Sequence, residues 1–299
     1  MQQAAPRAPN HFVAPTQGAG GRMLQRIANC ARVRALRRAL LAHVPFPVLA
    51  SDVRDVVYAH WRIPAARAAA LVSPGIALVQ QDGWTVLTVL TYRHGHFGPA
   101  LAGPLRRLFP SPLQSNWRLY VDSAASAVPV APGTVLFLRN VFDNALYALG
   151  TRLFSDALPS HLAGSFRHDR MADGWEIRIA GPGSAPELRL TVHEDAPRVL
   201  PPDFAALFGS WDAAVRTLSL QDAAVVAVED AARLAEARIS LPIDRETIAP
   251  LATGRFDAGG LLAELGATAP PFCFRVPAVH FRVLSERLLP GQVPDIGGA

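Results

Sequence analysis

Short apolar runs separated by turn residues dominate the chain after Pro45. Five of these runs are rich in β-branched and aromatic residues, a composition typical of strands. They are WTVLTVLTYR (84–93), NWRLYV (116–121), TVLFLRNV (134–141), WEIRI (175–179) and ELRLTV (187–192), and FCFRV (272–276) and VHFRVL (279–284) follow near the C-terminus. Because few helices interrupt these strands, the pattern predicts an α+β fold with a β-rich curved sheet or barrel and flanking helices.

Helical patterns occupy three segments. The first places apolar side chains near helical spacing with arginines between them, which predicts a basic helix. Asp143 or Asn144 is expected to cap a second helix that ends near residue 155, and a third helical region is predicted over about 203–236. The N-terminal residues lack periodicity and are rich in Gln, Ala, Pro and Gly, as in flexible tails. The predicted divisions are a flexible tail (1–22), the basic helix (23–44) and a single domain (45–290).

Composition excludes a disordered chain and lysine chemistry. Half of the residues are hydrophobic and 18% are charged, so enough apolar surface exists to offset the entropy lost on ordering a core. All 29 residues counted as Lys+Arg are arginine, so the chain contains no lysine. Two cysteines are too few for a disulfide framework or a multi-cysteine metal site, which favours a reducing, cytoplasmic location. No apolar run reaches the roughly 18 to 20 residues that span a bilayer, so no transmembrane segment is predicted.

The net charge of +5 allows non-specific attraction to anionic surfaces. Seven arginines fall within residues 7–38 and the others are scattered, so no specific nucleic-acid partner is predicted. The basic helix at 23–44 has two interpretations: it lies on a membrane surface or an acidic partner, or it packs on the domain as an ordinary surface helix. The second is favoured because only two of its turns are strongly basic.

The run SNWRLYVD contains the main candidate for ligand binding. Period-2 alternation points Asn116, Arg118 and Tyr120 to one side of the strand and apolar residues to the other. If the polar side faces a cavity, Arg118 is a receptor for a carboxylate or phosphate, because guanidinium binds two oxygens in a fork. If it faces water, the same residues form a solvated strand face, the reading that alternation alone favours.

Motifs for metals and common cofactors are missing from the sequence. His94-Gly95-His96 has no accompanying ligand set and is typical of a loop, so no metal is predicted. The chain has no Gly-rich phosphate loop followed by lysine, no GxGxxG after a strand and no GxSxG elbow. No cofactor is therefore predicted.

Three blocks of the sequence resemble a known family. They are VYAHWRIPAARAAALVSPGIALVQQDGWTVLTVLTYR (57–93), QSNWRLYVD (114–122) and GTVLFLRNVFDNALYALGTRLFSDALPSHL (133–162). They look like the uncharacterised YqjF-like family of bacterial proteins, which is similar in fold to acetoacetate decarboxylase. The resemblance covers roughly residues 52–200 and, more loosely, the chain to about 287. It implies a β-rich fold with a cavity for a small organic acid or carbonyl compound.

The resemblance also implies where a reactive group would lie. Acetoacetate decarboxylase carries its reactive lysine in a Gly-Phe-Pro-Lys-Lys stretch after a helix. Pro159 matches that proline, so Ser160 falls at the reactive lysine and His161 at its neighbour, while Asn116 falls near a glutamate of that active site. A Schiff base needs a primary amine, so this chain, without lysine, departs from the family chemistry.

Ser160 and His161 each have a functional and a structural interpretation. Adjacent residues in an extended segment point to opposite sides, so the two do not form a direct nucleophilic couple. His161 is either a general acid or base on a bound carbonyl, or a hydrogen-bonded structural histidine. Ser160 is either a ligand contact or a turn hydroxyl.

These observations predict a binding protein for a small-molecule ligand. Its cavity would have Arg118, Asn116, Tyr120 and Ser160 as binding residues, with His161 near the same polar end. One alternative is an enzyme in which His161 moves protons in hydration, dehydration or decarboxylation-type reactions. Another is a protein that associates with a membrane or partner through its basic helix. Whether the chain forms a homo-oligomer stays open.

Overall fold

A computed structural model describes residues 10–290 of the chain, so the first nine residues of the predicted tail lie outside the described residues. The helices are α1 (Ala19–Ala28), α2 (Ala31–Leu41), α3 (Ala65–Ala68), α4 (Ala145–Phe154), α5 (Pro202–Phe208), α6 (Trp211–Ser219) and α7 (Gly260–Leu265). The strands are β1 (Leu49–Pro64), β2 (Trp84–Arg93), β3 (Gly98–Pro99), β4 (Leu113–Tyr120), β5 (Thr134–Phe142), β6 (His161–Leu162), β7 (Ser165–Arg170), β8 (Gly174–Ala180), β9 (Leu188–His193), β10 (Ala223–Val228), β11 (Arg233–Ser240), β12 (Ala249–Asp257) and β13 (Phe272–Leu288).

Seven strands close into a barrel in the order β1-β2-β4-β5-β10-β11-β13, and β13 returns to β1. The closing pair is antiparallel and runs from Leu49 opposite Val283 to His60 opposite Phe272. Only β5 and β10 pair in parallel within this ring. Closure leaves these strands without a free edge, and their alternate residues point into the interior. The predicted α+β class with a β-rich barrel is confirmed.

A second sheet covers one outer side of the barrel. It has the order β12-β9-β8-β7 and joins the barrel where β12 pairs with β13. Trp175 and Ile177 of β8 share one apolar cluster with Trp117 and Leu119 on the outer face of β4. Strand β4 is therefore covered on both faces, and all eight of its residues are buried although polar and apolar residues alternate in its sequence.

Helices α5 and α6 pack onto the apolar interior of the barrel. Phe204, Val215 and Leu218 from these helices belong to the same cluster as Tyr58 and Tyr92 on the barrel strands. Ser210 begins α6 by accepting a hydrogen bond from the Ala213 amide at 3.2 Å. The C-terminal turn of α6 is thus held against the inner face of the barrel.

The N-terminal segment differs from the single basic helix predicted over 23–44. It forms α1 and α2, which are separated at Asn29 and Cys30. The Asn29 side chain accepts from the Phe12 amide at 2.9 Å and donates to the Phe12 carbonyl at 2.8 Å. Phe12 is buried, so part of the predicted flexible tail packs on the protein.

The region predicted as helical over 203–236 contains two helices and then two strands. After α6 the chain enters β10 and β11, where Val225, Val226 and Val228 are buried. Branched Cβ atoms fit a pleated sheet better than a helix, and β10 fills the gap between β5 and β11. By contrast, α4 begins after Asn144 as predicted, because the Asn144 side chain accepts from two backbone amides of its first turn. Within residues 10–290, no helix has the length and apolar character to cross a membrane.

Candidate functional site

The barrel encloses a cavity with mostly apolar walls. The centres of water molecules can occupy about 30 Å³ of it. Five polar side chains line it, those of Tyr58, Tyr92, Gln114, Asn116 and Gln221, and none of the lining residues carries a charge. The apolar lining residues are Val53, Val56, Leu90, Phe97, Phe137, Leu158, Ala237, Ile239, Leu241, Val279, Phe281 and Val283.

Arg118 lies directly behind this wall and is fully buried. Its guanidinium carbon is 5.6 Å from the ring centre of Tyr58 and 5.6 Å from that of Tyr120. One terminal nitrogen donates to the Leu218 carbonyl at 2.8 Å, the other donates to the amide oxygen of Gln221, and Nε has no partner. Both acceptors are neutral, so in the described part of the chain no carboxylate compensates the buried charge of Arg118.

The strand itself directs Arg118 inward. The pairing of β4 with β5 shifts between Trp117 and Arg118, so that Trp117 faces Arg139 and Arg118 faces Phe137. A shift of this kind is a β-bulge, and its extra residue, Leu138, lies on β5. Strand β4 therefore keeps its regular alternation, and Arg118 and Tyr120 on its inner face both contact the Leu218 carbonyl at the C-terminal end of α6.

A hydrogen-bonded chain of hydroxyl groups continues from the arginine. Tyr120 donates from its hydroxyl to the Leu218 carbonyl at 2.7 Å and lies 2.9 Å from Thr88 Oγ1. Thr88 Oγ1 is in turn 2.8 Å from Nδ1 of His60. Burial, and then the charge of Arg118, hold the pKa of His60 well below its usual range, so this imidazole is neutral. Burial also raises the pKa of Tyr58 to about 12, so Arg118 has no phenolate partner.

A second network, made of side-chain amides, occupies the other polar part of the inner face. Gln114 donates from Nε2 to Asn116 Oδ1 at 2.8 Å and to Asn140 Oδ1 at 2.6 Å. Asn116 donates to the Tyr92 hydroxyl at 3.1 Å, and Asn140 donates to Ser160 Oγ at 2.6 Å. Every member is neutral and hydrogen-bonded, so this network fixes the wall and can offer hydrogen bonds to a ligand through Asn116.

His94 belongs to the amide network, although its sequence context is typical of a loop. It is buried, with Nε2 2.5 Å from Gln114 Oε1 and Nδ1 2.8 Å from Ser51 Oγ. Its ring stacks on Phe97, with 4.3 Å between ring centres. Burial lowers the pKa of His94 to about 4, so the ring is neutral at pH 7. In the described residues, no group of three His, Cys, Asp or Glu side chains is arranged to hold a metal ion.

Ser160 and His161 lie in different environments. Ser160 Oγ accepts from Asn140 at 2.6 Å and from Thr151 Oγ1 at 2.7 Å, so it belongs to the amide network. His161 is fully buried, with Nδ1 2.7 Å from Ser184 Oγ. Neither residue lines the cavity, and as neighbours in an extended segment the two side chains point to opposite sides.

Three of the predicted residues, Asn116, Arg118 and Tyr120, share the inner face of β4 and are all buried. A solvated strand face is therefore excluded. Sequence reasoning missed Gln114, which continues the same alternation two residues earlier. It also missed Gln221, which contacts Arg118 from more than 100 positions away and has no local signal.

Comparisons with known proteins agree with this architecture. No protein-family model matches the chain, and no curated protein is similar to it. Among solved structures, the enduracididine biosynthesis enzyme MppR with HEPES buffer bound has a TM-score of 0.55 and 15% identity, covering 84% of this chain and 90% of that chain. Acetoacetate decarboxylase from Legionella pneumophila has a TM-score of 0.55 and 9% identity, covering 82% of this chain and 88% of that chain.

A third match is an acetoacetate decarboxylase-like enzyme from Sphingomonas wittichii RW1, with a TM-score of 0.53 and 11% identity, covering 82% of this chain and 94% of that chain. At identities this low, the likeness establishes the fold alone. The chain therefore has an acetoacetate decarboxylase-like fold.

Proposed function

We propose that the barrel binds a small organic acid or carbonyl compound in its apolar cavity, without lysine Schiff-base chemistry. The observation that carries the proposal is Arg118, a fully buried guanidinium with neutral acceptors and an unpaired Nε. Burying such a charge is costly unless an anion compensates it. A carboxylate supplies that anion and matches the donor geometry of guanidinium.

The cavity wall supports an acid with a short apolar body. It consists of aliphatic and aromatic side chains and has no charged member. Arg118 bonds to Gln221 and stacks beside Tyr58, both of which line the cavity, so a carboxylate at that end comes close to the guanidinium. Asn116 and Tyr92 offer hydrogen-bonding atoms elsewhere on the wall for a carbonyl or hydroxyl group.

Proton-transfer catalysis by His161 is the first alternative, and its surroundings do not favour it. Nδ1 is occupied by Ser184, and the ring is outside the cavity lining. Burial, followed by the charges of Arg152 and Arg139, holds the pKa of His161 well below its usual range. A histidine of this kind neither donates a proton near pH 7 nor reaches a ligand in the cavity.

Association through the basic helix is the second alternative. Three of the four arginines of α2 already have partners, because Arg37 and Arg38 pair with Asp156, and Arg34 pairs with Asp230. Their charge is directed to the protein itself, which leaves little for an anionic membrane or partner.

We further propose that the chain belongs to the YqjF-like family, on the strength of the three sequence blocks within 57–162. We also propose a cytoplasmic location, since Cys30 and Cys273 are both free thiols. Cys273 is buried, which raises its pKa to about 12 and keeps it unreactive.

Isothermal titration of the purified protein with butyrate, pyruvate and acetoacetate tests the binding proposal. We expect at least one acid to bind. Arg118→Ala should lower the affinity for that acid by about tenfold or more, since a charge-assisted contact is lost. His161→Gln is the matched control for a buried polar residue outside the cavity, and its affinity should stay within about twofold of wild type. If none of the three acids binds the folded protein, a carboxylate ligand is refuted; if His161→Gln weakens binding as much as Arg118→Ala, the site is misassigned.

A further inference from the structure

Gln221 is the polar residue of the cavity wall whose role the proposed function leaves open. It is buried, and its amide oxygen accepts a hydrogen bond from a terminal nitrogen of Arg118. It lies between α6 and β10, at the second position after the helix ends at Ser219. The side chain therefore stands between the buried guanidinium and the cavity.

The other acceptor of Arg118 is fixed. The Leu218 carbonyl is backbone in the last turn of α6, and it accepts from both Arg118 and the Tyr120 hydroxyl. The C-terminus of a helix also carries a partial negative charge, which stabilises a nearby cation. This contact is made to backbone, so it does not depend on the rotamer of an acceptor side chain.

The contact with Gln221 can be exchanged. It is a side-chain contact, so rotation about the Gln221 side-chain bonds breaks it without moving α6 or β10. The bond to the amide oxygen has a charge on the donor only, whereas a carboxylate brings a full opposite charge to the guanidinium. A carboxylate in the cavity therefore competes well against the amide oxygen.

The lining of the cavity points the same way. Gln221 is one of the side chains that form the wall of the cavity. Moving the Gln221 side chain out of the wall enlarges the cavity at the end nearest to Arg118. One movement thus frees the donor and makes room for the ligand.

We propose that Gln221 is an exchangeable internal acceptor: it occupies Arg118 in the empty cavity, gives way to the carboxylate of a short monoacid, and sets the preference for an anionic over a neutral ligand. This inference rests on the proposed function, since it assigns a role within the same binding site. Because an amide leaves the positive charge of Arg118 uncompensated, the cavity selects an anion. A carboxylate at position 221 would compensate that charge permanently and remove the selection.

The test compares butyrate with butyramide, two ligands of nearly equal shape that differ in charge, by isothermal titration. Wild type should prefer butyrate. Gln221→Glu should lower the affinity for butyrate by about tenfold or more, because the new carboxylate pairs with Arg118. This variant should bind butyramide more tightly than butyrate. Gln221→Ala should bind butyrate at least as tightly as wild type, since it removes the competing acceptor. Thermal unfolding of each variant shows whether it is folded.

The outcomes separate the two proposals. If wild type binds neither butyrate nor any other short acid, the proposed function fails and this inference fails with it. If wild type prefers butyrate and Gln221→Glu keeps the same preference, only the role of Gln221 is refuted. Should Gln221→Glu fail to fold, Gln221→Ala provides the test. If this variant folds and its affinity for butyrate falls by tenfold or more, Gln221 binds the ligand and is not displaced by it, and the inference is refuted.

Discussion

Two regions where arginines are shielded from water differ in what surrounds the guanidinium groups. Where α2 meets the segment after α4, Asp156 accepts from Arg37 at 2.5 Å and from Arg38 at 2.9 Å, and Asp230 also accepts from Arg38 at 2.9 Å. Inside the barrel, Arg118 is more deeply buried, but its acceptors are one amide oxygen and one backbone carbonyl.

The difference separates a structural contact from a binding site. At α2, each cation has a carboxylate, so the charges compensate one another and anchor the helix. In the barrel, the positive charge is held by neutral dipoles, which leaves it available to an anion that enters the cavity. The same residue type therefore serves assembly in one region and, we propose, recognition in the other.

The largest effect is expected when the ion pairs between α2 and Asp156 are broken. Asp156→Asn keeps the shape of the side chain but leaves Arg37 and Arg38 without their shared carboxylate, which is nearly buried. Breaking a buried pair from one side costs about 3 to 5 kcal/mol, and we expect the free energy of unfolding to fall by about that amount. Urea denaturation measures it.

Asp169→Asn is the matched control for this variant. Asp169 pairs with Arg167 on an exposed strand face, where such pairs contribute about 1 kcal/mol or less. If both variants lose equal stability, the contact at α2 is no stronger than an ordinary surface pair, and the comparison between the two regions does not hold.

The second prediction tests the neutrality of the barrel interior. The pKa of His94 is lowered to about 4, whereas an unfolded histidine titrates near 6.5. The unfolded state therefore binds the proton first, so the stability is fully present above about pH 6.5 and is lost as the pH falls towards 4. The loss attributable to His94 is about 3 kcal/mol.

Urea denaturation between pH 7 and pH 4.5, on wild type and His94→Gln, measures this share. Glutamine preserves hydrogen bonding but does not titrate, so the variant should lose less stability on acidification. His168, with its pKa also lowered to about 4 by burial, remains in both proteins and contributes equally to each. Parallel curves for the two proteins would show that His94 is not buried in neutral form.

The smallest expected effect concerns the stability of the barrel without its arginine. Arg118→Gln removes a buried charge without leaving an unpaired carboxylate. The variant loses the hydrogen bonds of the guanidinium, but it also no longer has the free-energy cost of burying the charge. We expect the free energy of unfolding to change by less than about 2 kcal/mol in either direction. A thermal and urea denaturation series beside Asp156→Asn provides the comparison, and an equal loss in both variants would make Arg118 a structural residue.

The fold class could be predicted from the sequence because most strands have a local composition typical of strands. WTVLTVLTYR and TVLFLRNV are rich in β-branched residues, and both are barrel strands. The prediction of helix over 220–236 was wrong for a physical reason. An alanine-rich segment such as AAVVAVED is locally compatible with helix or strand, and pairing of β10 with β5 and β11 makes it a strand.

The candidate site was predictable in part. Alternation along β4 set Asn116, Arg118 and Tyr120 on one side from the sequence alone, because successive side chains of a strand point to opposite faces. Whether that side met water or a cavity depended on closure of the barrel, which joins β1 to β13 across more than 200 residues.

What the sequence determined by itself is a β-rich chain without lysine, with an arginine on a polar strand face. Only the tertiary structure decided that this arginine is buried without a carboxylate, that Gln221 accepts from it, and that His161 is turned away from the cavity. The reason is that local patterns fix the direction of a side chain relative to its own strand, while its partners come from segments that only packing brings together.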